Sequence, residues 1–383
     1  MQQVFHNGKI VLDNEVIDGS VVVENGIISR IDQGGVVPDG GIDLEGDYLL
    51  PGLVDVHSDN IEKFISPRPN VVWPSRFAAI AHDAYVIGVG VTTILDAISL
   101  SDPISLGGAS GSRTQLAMSV IEGITETQKL GALRAEHFVH IRCEVTDAEI
   151  VDRISRLDND LPIRMFTLMD HSPGQRVFRD IEAWRAYRKK GRGLSDSELD
   201  RMLAAELEAR ARYAAPNRQA LAQIARERGV ALGGHDDSTV EEIAEAVELR
   251  STVSEFPTTI EAAQAARAAG LKTIMGGPNL ARGGSHIGNL STQECAQQGA
   301  LDILASDYMP VSLLQAAFML TSEPIGYDLP RAIATVTSAP AEACGLFDRG
   351  SIAVGKKADL LRVRVHENLP MLGTVWRSGV RVH

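Results

Sequence analysis

The strongest constraint on the fold is a repeated alternation of short apolar runs with helical patterns between residues 53 and 309. A short apolar run bounded by turn residues predicts a strand, and a longer segment with a 3.6-residue apolar period predicts a helix. Regular alternation of the two is typical of β–α units that build a parallel sheet. The predicted strands are residues 53–59, 92–98, 137–145, 164–171, 230–237, 252–257, 272–279 and 302–309.

Eight strands with intervening helices over roughly 300 residues predict an α/β fold in which the sheet closes into a (β/α)8 TIM barrel. A doubly wound open sheet is the alternative. The sequence has no G-x-G-x-x-G motif after a strand and no Walker A motif, so it lacks the nucleotide-binding signatures that accompany many open sheets. Residues 176–229 are long and charged, and they predict a helical excursion beyond a simple crossover.

Both ends of the chain have a different pattern, with short alternating apolar runs and hairpin signals such as Asn7-Gly8 and Asn25-Gly26. We therefore predict that the two terminal segments pair into a small β-sandwich domain. Its first part is residues 1–50, the barrel is residues 51–345, and its second part is residues 346–383.

The charge balance narrows the range of partners. The 383 residues include 50 acidic and 37 basic side chains, giving a net charge of −13, which argues against nucleic acid and anionic membranes. The three cysteines show no paired spacing, the N-terminus lacks a secretory pattern, and no apolar stretch is long enough to span a bilayer. We expect a cytoplasmic protein.

Histidines and carboxylates stand at the ends of several predicted strands. In a barrel, the carboxyl ends of all strands lie on one face, so these residues are expected to converge there. Singly, such a histidine is more often a structural hydrogen-bonding group, and such a carboxylate often caps the next helix. Together they form a ligand set for one or two divalent metal ions. The set is His57, Asp59, Glu144, His171, His235 and Asp307.

Cationic and glycine-rich loops follow the first and seventh strands. Guanidinium forks match phosphate oxygens, and glycines let backbone N–H groups approach an anion, so these loops predict a polyanionic ligand. Lys63 is also compatible with ordinary surface charge, and Arg142 with a salt bridge to Asp59 or Glu144. The predicted ligand-binding residues are Lys63, Arg68, Arg142, Asn279, Arg282, Ser285 and His286.

Several longer motifs carry a family resemblance. PGLVDVHSD, ASD on the last strand and the tail GSIAVGKKADLLRV resemble the amidohydrolase superfamily of metal-dependent hydrolases. DNIEKFISPRPNVVWP, IRCEVTD, GGPNLARGGSHIGN and LASDYMPVSLLQAAF resemble one branch, the α-D-ribose 1-methylphosphonate 5-triphosphate diphosphatases of the carbon–phosphorus lyase pathway. That branch usually has Thr in place of Ser58 and Gly in place of Asn70. The resemblance implies removal of pyrophosphate from a phosphorylated ribosyl phosphonate.

The resemblance also implies individual roles. His57, Asp59 and Asp307 would bind the more buried metal, with Asp307 also the general base, and His171 and His235 the second. Glu144 would bridge the two metal ions. Many members carry the bridging carboxylate one strand later, so a site with a single metal is the alternative. Zinc is the first expectation, with manganese, iron or nickel as alternatives, and a homodimer is expected because the superfamily commonly forms one.

Two other functions compete with this prediction. One is another amidohydrolase reaction, such as deacetylation, deamination or the opening of a cyclic amide, because one fold hosts many reactions. The other is a non-catalytic scaffold, which is disfavoured because every proposed ligand is present. The cationic loops favour the phosphorylated substrate.

Overall fold

The structure is a computed structural model that describes residues 2–34, 40–69, 71–101, 112–176, 178, 180–189, 194–285 and 288–383. The strands in chain order are β1 (Gln2–Val11), β2 (Val16–Glu24), β3 (Ile27–Gln33), β4 (Ile42–Asp43), β5 (Tyr48–Pro51), β6 (Leu53–Ser58), β7 (Val91–Ser99), β8 (Glu136–Glu144), β9 (Ile163–Met169), β10 (Ala231–His235), β11 (Val253–Glu255), β12 (Lys272–Gly276), β13 (Ile303–Ala305), β14 (Leu360–His366), β15 (Leu369–Arg377) and β16 (Val380–Arg381). The helices are α1 (Ile61–Ile65), α2 (Ser75–Gly88), α3 (Ser112–Lys129), α4 (Ile150–Ser155), α5 (Ile181–Lys189), α6 (Asp196–Arg228), α7 (Val240–Glu248), α8 (Ile260–Ala268), α9 (Gly277–Ala281), α10 (Thr292–Gln297), α11 (Ser312–Met319), α12 (Leu329–Ala334) and α13 (Ser338–Ala343).

Strands β6 to β13 form one parallel sheet in which spatial order follows chain order. A doubly wound sheet would reverse its strand order at a switch point, and this sheet does not. A parallel bridge between Ser58, at the end of β6, and Asp307, just after β13, joins the first strand to the last. The predicted (β/α)8 barrel is therefore confirmed, and all eight predicted strands are present.

The predicted helical excursion is confirmed by α6, which runs for 33 residues. Ser195 begins it with a capping box, in which its hydroxyl accepts the Glu198 N–H while the Glu198 carboxylate accepts the Ser195 N–H. Gly229 ends it at a φ of 63°, a left-handed conformation that glycine adopts at little cost. Among the described helices, none combines the length and apolar character needed to cross a bilayer.

The terminal segments form the second sheet, in the order β16-β15-β14-β5-β1-β2-β3, with β4 against β1. Strand β14 pairs antiparallel with β5 and so joins the two ends of the chain. Phe5 on β1 and Trp376 on β15 have ring centroids 5.0 Å apart. In a flat sheet these strands would lie about 14 Å apart, three spacings of about 4.8 Å. The sheet therefore curls over an apolar core that both rings share, which confirms the predicted small β-sandwich.

The chain divides into two compact units. One comprises Met1–Asp96, Gly123–Phe138 and Met275–His383, and the other comprises Ala97–Glu122 and Val139–Ile274. The predicted metal ligands divide between them. The first unit holds His57, Asp59 and Asp307, and the second holds Glu144, His171 and His235.

Candidate metal centre

In the first unit, the joint between the first and last barrel strands gathers His57, Asp59 and Asp307. The Asp307 N–H donates to the His57 carbonyl at 2.9 Å, and the Asp59 N–H donates to the Asp307 carbonyl at 3.0 Å. Asp307 has a φ of 53°, a left-handed conformation that is uncommon for a residue other than glycine and often marks a functional position. His57 is buried, whereas Asp59 and Asp307 are half-buried and so keep contact with solvent.

A buried carboxylate supports this joint. Asp55 Oδ1 accepts the N–H of His57 at 3.3 Å and the N–H of Ser306 at 3.1 Å. Burial raises the pKa of Asp55 to about 7. Because one carboxylate oxygen receives both backbone donors, it fixes the two strand ends that carry the predicted ligands.

In the second unit, Glu144 contacts His171. Glu144 Oε2 lies 2.7 Å from His171 Nδ1, and Oε1 accepts the His171 N–H at 3.3 Å and the Thr146 hydroxyl at 3.1 Å. Burial lowers the pKa of His171, but the neighbouring Glu144 carboxylate outweighs that effect and the pKa lies above its ordinary value. A carboxylate at Nδ1 is the usual partner of a metal-binding histidine, because it fixes the ring and leaves Nε2 for the metal.

His235 repeats the arrangement with a different carboxylate. Its Nδ1 lies 2.6 Å from Glu255 Oε2, and its Nε2 lies 3.5 Å from Asp236 Oδ2. His171 Nε2 lies 3.9 Å from the same Asp236 oxygen. His171, His235 and Asp236 each offer a ligand atom within 4.8 Å of the others. Two imidazoles held at Nδ1 and a carboxylate facing both Nε2 atoms form a donor set that suits a divalent ion.

The sequence patterns did not indicate the roles of Asp236 and Glu255. Asp236 directly follows His235, and consecutive residues of an extended strand point to opposite faces, so the pattern does not place its carboxylate beside the His235 ring. The φ of Asp236 is 58°, which ends the strand and breaks the alternation. Glu255 ends β11 within the predicted strand 252–257, so its position at a strand end was a usable signal. His140, which the sequence gave no reason to single out, has Nδ1 3.9 Å from Glu255 Oε1.

Two predicted cations of the first unit converge on Tyr308, which the sequence analysis did not identify. The Lys63 ammonium donates to the Tyr308 carbonyl at 2.5 Å and lies 5.6 Å from the centre of its ring. Arg282 Nη1 donates to the Tyr308 hydroxyl at 3.4 Å. Helix α1, which follows β6, and the end of helix α9, which follows β12, are therefore connected through the residue that follows Asp307.

The other predicted ligand-binding residues of this unit differ in role. Asn279 has backbone partners at both ends of its amide: Oδ1 accepts the Thr292 N–H at 2.9 Å, and Nδ2 donates to the Leu290 carbonyl at 3.3 Å. It therefore holds the loop in place. Arg68 is exposed, and its carbonyl accepts the Val71 N–H at 3.1 Å. Ser285 is half-buried, and His286 lies outside the described residues.

Arg142 in the second unit is half-buried on β8, two residues before Glu144. Its Nε is buried and has no hydrogen-bond partner among the residues that the structure describes. Its charge also acts to lower the pKa of His171, so the guanidinium lies within electrostatic range of that ring. Within the described part of the chain Arg142 forms no ion pair with Glu144, which leaves its charge available to an anion.

A further buried cluster lies in the first unit and consists of His82, Asp83, Asp96 and His137. Asp96 accepts from both imidazoles, with its oxygens 2.9 Å from His82 Nε2 and 2.8 Å from His137 Nδ1. His137 Nε2 lies 3.4 Å from Asp83. Burial raises the pKa of Asp96, but the imidazoles outweigh it and bring the pKa down to about 2. Burial lowers the pKa of His137, but the two carboxylates raise it to about 9. We interpret the cluster as a charge network.

Comparison with known proteins places these observations in a family context. Residues 115–364 match the amidohydrolase family. The α-D-ribose 1-methylphosphonate 5-triphosphate diphosphatase of Escherichia coli (strain K12) is 42% identical over 380 residues, covering 99% of this chain and 100% of that protein.

Solved structures show the same fold. The N-acetylglucosamine-6-phosphate deacetylase of Pasteurella multocida has a TM-score of 0.64 at 14% identity and covers 100% of this chain and 99% of its own. The dihydropyrimidinase of Brevibacillus agri NCHU1002 has a TM-score of 0.60 at 14% identity, covering 100% and 95%. At this level of identity, the likeness bears on the fold alone.

Proposed function

The chain belongs to the amidohydrolase family, and from that premise we propose that it is a metal-dependent diphosphatase that hydrolyses α-D-ribose 1-methylphosphonate 5-triphosphate and releases pyrophosphate. The observation that carries the substrate assignment is 42% identity to a diphosphatase of that name across the full length of both chains. The paired imidazoles of His171 and His235, each with a carboxylate at Nδ1, support the metal chemistry.

The proposed metal ligands are His57, Asp59, Glu144, His171, His235 and Asp307, to which we add Asp236. Each lies at or just after the carboxyl end of a barrel strand, which is where this fold carries its active-site residues. We propose one or two divalent ions, with zinc first and manganese, iron or nickel as alternatives. When bound, such an ion lowers the pKa of water from 15.7 towards ~7 and neutralises phosphoryl charge. Glu144 and Glu255 hold their histidines at Nδ1, so Nε2 is the atom that would coordinate the ion.

Asp307 is the proposed general base, and its backbone contacts with His57 and Asp59 fix its position. The oxygen of water bonds to phosphorus while the bridging P–O bond breaks, and the electron pair leaves with diphosphate. The water proton passes to the Asp307 carboxylate, which can then deliver it to the leaving group. The products are diphosphate and the ribosyl phosphonate 5-phosphate.

The proposed substrate-binding residues supply positive charge that stabilises the negative charge spread over the phosphoryl oxygens in the transition state. Arg282 and Lys63 lie beside the residue that follows Asp307, and Arg142 has a buried Nε without a hydrogen-bond partner among the described residues. We also assign Arg68, Ser285 and His286 to this group. Asn279 acts by holding its loop. A triphosphate needs several such cations, whereas deacetylation or deamination of an uncharged substrate needs none.

We extend the proposal to the domain boundaries, the cellular location and the oligomeric state. The domain boundaries are residues 1–50, 51–345 and 346–383. The protein acts in the cytoplasm on a small molecule rather than on nucleic acid, in keeping with a net charge of −13. It is a homodimer, which light scattering on the purified protein would test: a mass near twice 41.2 kDa is expected, and a mass near 41.2 kDa would contradict the proposal.

The test of function is a substrate comparison with the metal-loaded protein. Pyrophosphate release is measured with the ribosyl phosphonate triphosphate and with nucleoside triphosphates, and acetate release with N-acetylated sugars. We expect release of pyrophosphate with preference for the ribosyl substrate, its loss in His235→Ala, and its retention in His366→Ala, which changes an exposed histidine. Deacetylation without phosphoanhydride cleavage would contradict the proposal.

A further inference from the structure

Tyr308 is the point at which two cations from distant parts of the chain meet. Resting on the proposed function, we infer that Tyr308 is a positioning residue that holds Lys63 and Arg282 as a clamp for the diphosphate leaving group. The three residues are the Tyr308 clamp.

The lysine is held by two contacts with Tyr308. Its ammonium donates to the Tyr308 carbonyl at 2.5 Å and lies 5.6 Å from the ring centre. Asn60 Nδ2 donates to the same carbonyl at 2.9 Å and so fixes that oxygen. A free lysine side chain has many rotamers and loses that freedom when it binds a ligand. Contacts that place the ammonium beforehand reduce that loss, because the side chain is already ordered.

The arginine is held more loosely. Arg282 Nη1 donates to the Tyr308 hydroxyl at 3.4 Å, a long contact that uses one N–H of five. Gly283 and Gly284 follow at φ of 78° and 147°, so the chain turns away directly behind the guanidinium. The remaining donors of the exposed side chain stay available for phosphate oxygens.

The charge of the Tyr308 clamp is not neutralised by the protein. Within the described residues, neither Lys63 nor Arg282 forms an ion pair with a carboxylate, although the chain carries 50 acidic side chains against 37 basic ones. Two cations on one tyrosine repel each other, and an anion between them removes that cost. Polyphosphate is the anion that matches an ammonium and a guanidinium together.

The position in the chain indicates which phosphates are bound. Tyr308 directly follows Asp307, the proposed general base, so the clamp lies next to the reacting end of the substrate. In the proposed reaction the leaving diphosphate gains the electron pair of the broken bond. Cations placed there stabilise charge that develops as the bond breaks.

The test uses pyrophosphate as the probe, with calorimetry on the metal-loaded protein. We expect Tyr308→Phe, which removes the hydroxyl and keeps the ring, to weaken pyrophosphate binding about three- to tenfold. In an Arg282→Ala background the same change is expected to have no further effect, because the partner is gone. Tyr327→Phe is the matched control, since it also removes a hydroxyl that forms a hydrogen bond, to the Ala296 carbonyl at 3.0 Å, and keeps a ring that lies under a cation, Arg331.

Turnover and metal content are measured in parallel to separate this inference from the proposed function. Unchanged pyrophosphate affinity in Tyr308→Phe, or full additivity with Arg282→Ala, would overturn the clamp even if the ribosyl triphosphate is cleaved. Weakened, non-additive binding supports the clamp even if that substrate is not cleaved, in which case the proposed function fails alone. A merely structural role for Tyr308 would lower metal content or Tm without changing pyrophosphate affinity.

Discussion

Replacing His137 by glutamine removes the cation that lies between Asp96 and Asp83 in the buried charge network. The His137 pKa is raised from 6.5 to about 9, chiefly because the carboxylates outweigh the effect of burial. At 1.36 kcal/mol for each pKa unit, that shift corresponds to about 3 kcal/mol of stability. Because the folded-state pKa is raised, this stability is fully present below about pH 6.5 and is lost as the pH rises through about 9.

Thermal unfolding of the wild type and His137→Gln, followed by circular dichroism, measures this effect. An unfolding entropy of about 2.1 cal/mol/K per residue over 383 residues converts 3 kcal/mol into a Tm difference of about 4 °C. We expect that difference near pH 6 and expect it to shrink towards pH 10. The control is His366→Gln, which changes an exposed histidine. Wild-type and His137→Gln curves that stay parallel across this range would refute the reasoning.

Three further predictions concern the site itself. Asp307→Asn should keep its metal and lose about 10²- to 10⁴-fold in kcat, because the amide cannot accept the proton; a rate near that of the wild type would remove Asp307 as the base. Glu255→Gln should weaken metal affinity about 10- to 100-fold, because it disturbs the carboxylate that holds His235. Competition with a chelator measures the affinity, and the exposed control Glu248→Gln should leave it unchanged. Unchanged affinity in Glu255→Gln would exclude that role. Arg282→Ala should raise KM for the triphosphate with little change in metal content, and unchanged KM and kcat would exclude Arg282 from the site.

The sequence was sufficient to predict the barrel and the strand ends at which the proposed ligands lie. Its eight apolar runs alternate with helical patterns, and each became a strand, with Glu144 ending the third. Periodicity is a local property that survives in the fold, which is why this part could be predicted.

The missed contacts have specific physical causes. The contact of Asp236 was missed because strand alternation assumes extended backbone, and its φ of 58° departs from that conformation. The contact of Lys63 with Tyr308 joins residues 245 positions apart, so no local pattern encodes it. The imidazole of His137 became part of a charge network through Asp83 and Asp96, which other elements bring beside it. Side-chain contacts that depend on tertiary packing therefore could not be predicted from the sequence patterns.

The most direct test of the central claim is phosphorus NMR of the first products formed from α-D-ribose 1-methylphosphonate 5-triphosphate by the metal-loaded protein. The account predicts pyrophosphate and the ribosyl phosphonate 5-phosphate in equal amounts, with no product after the metal is removed by a chelator and recovery when a divalent ion is returned. Orthophosphate as the first product, or turnover that survives complete removal of metal, would contradict it.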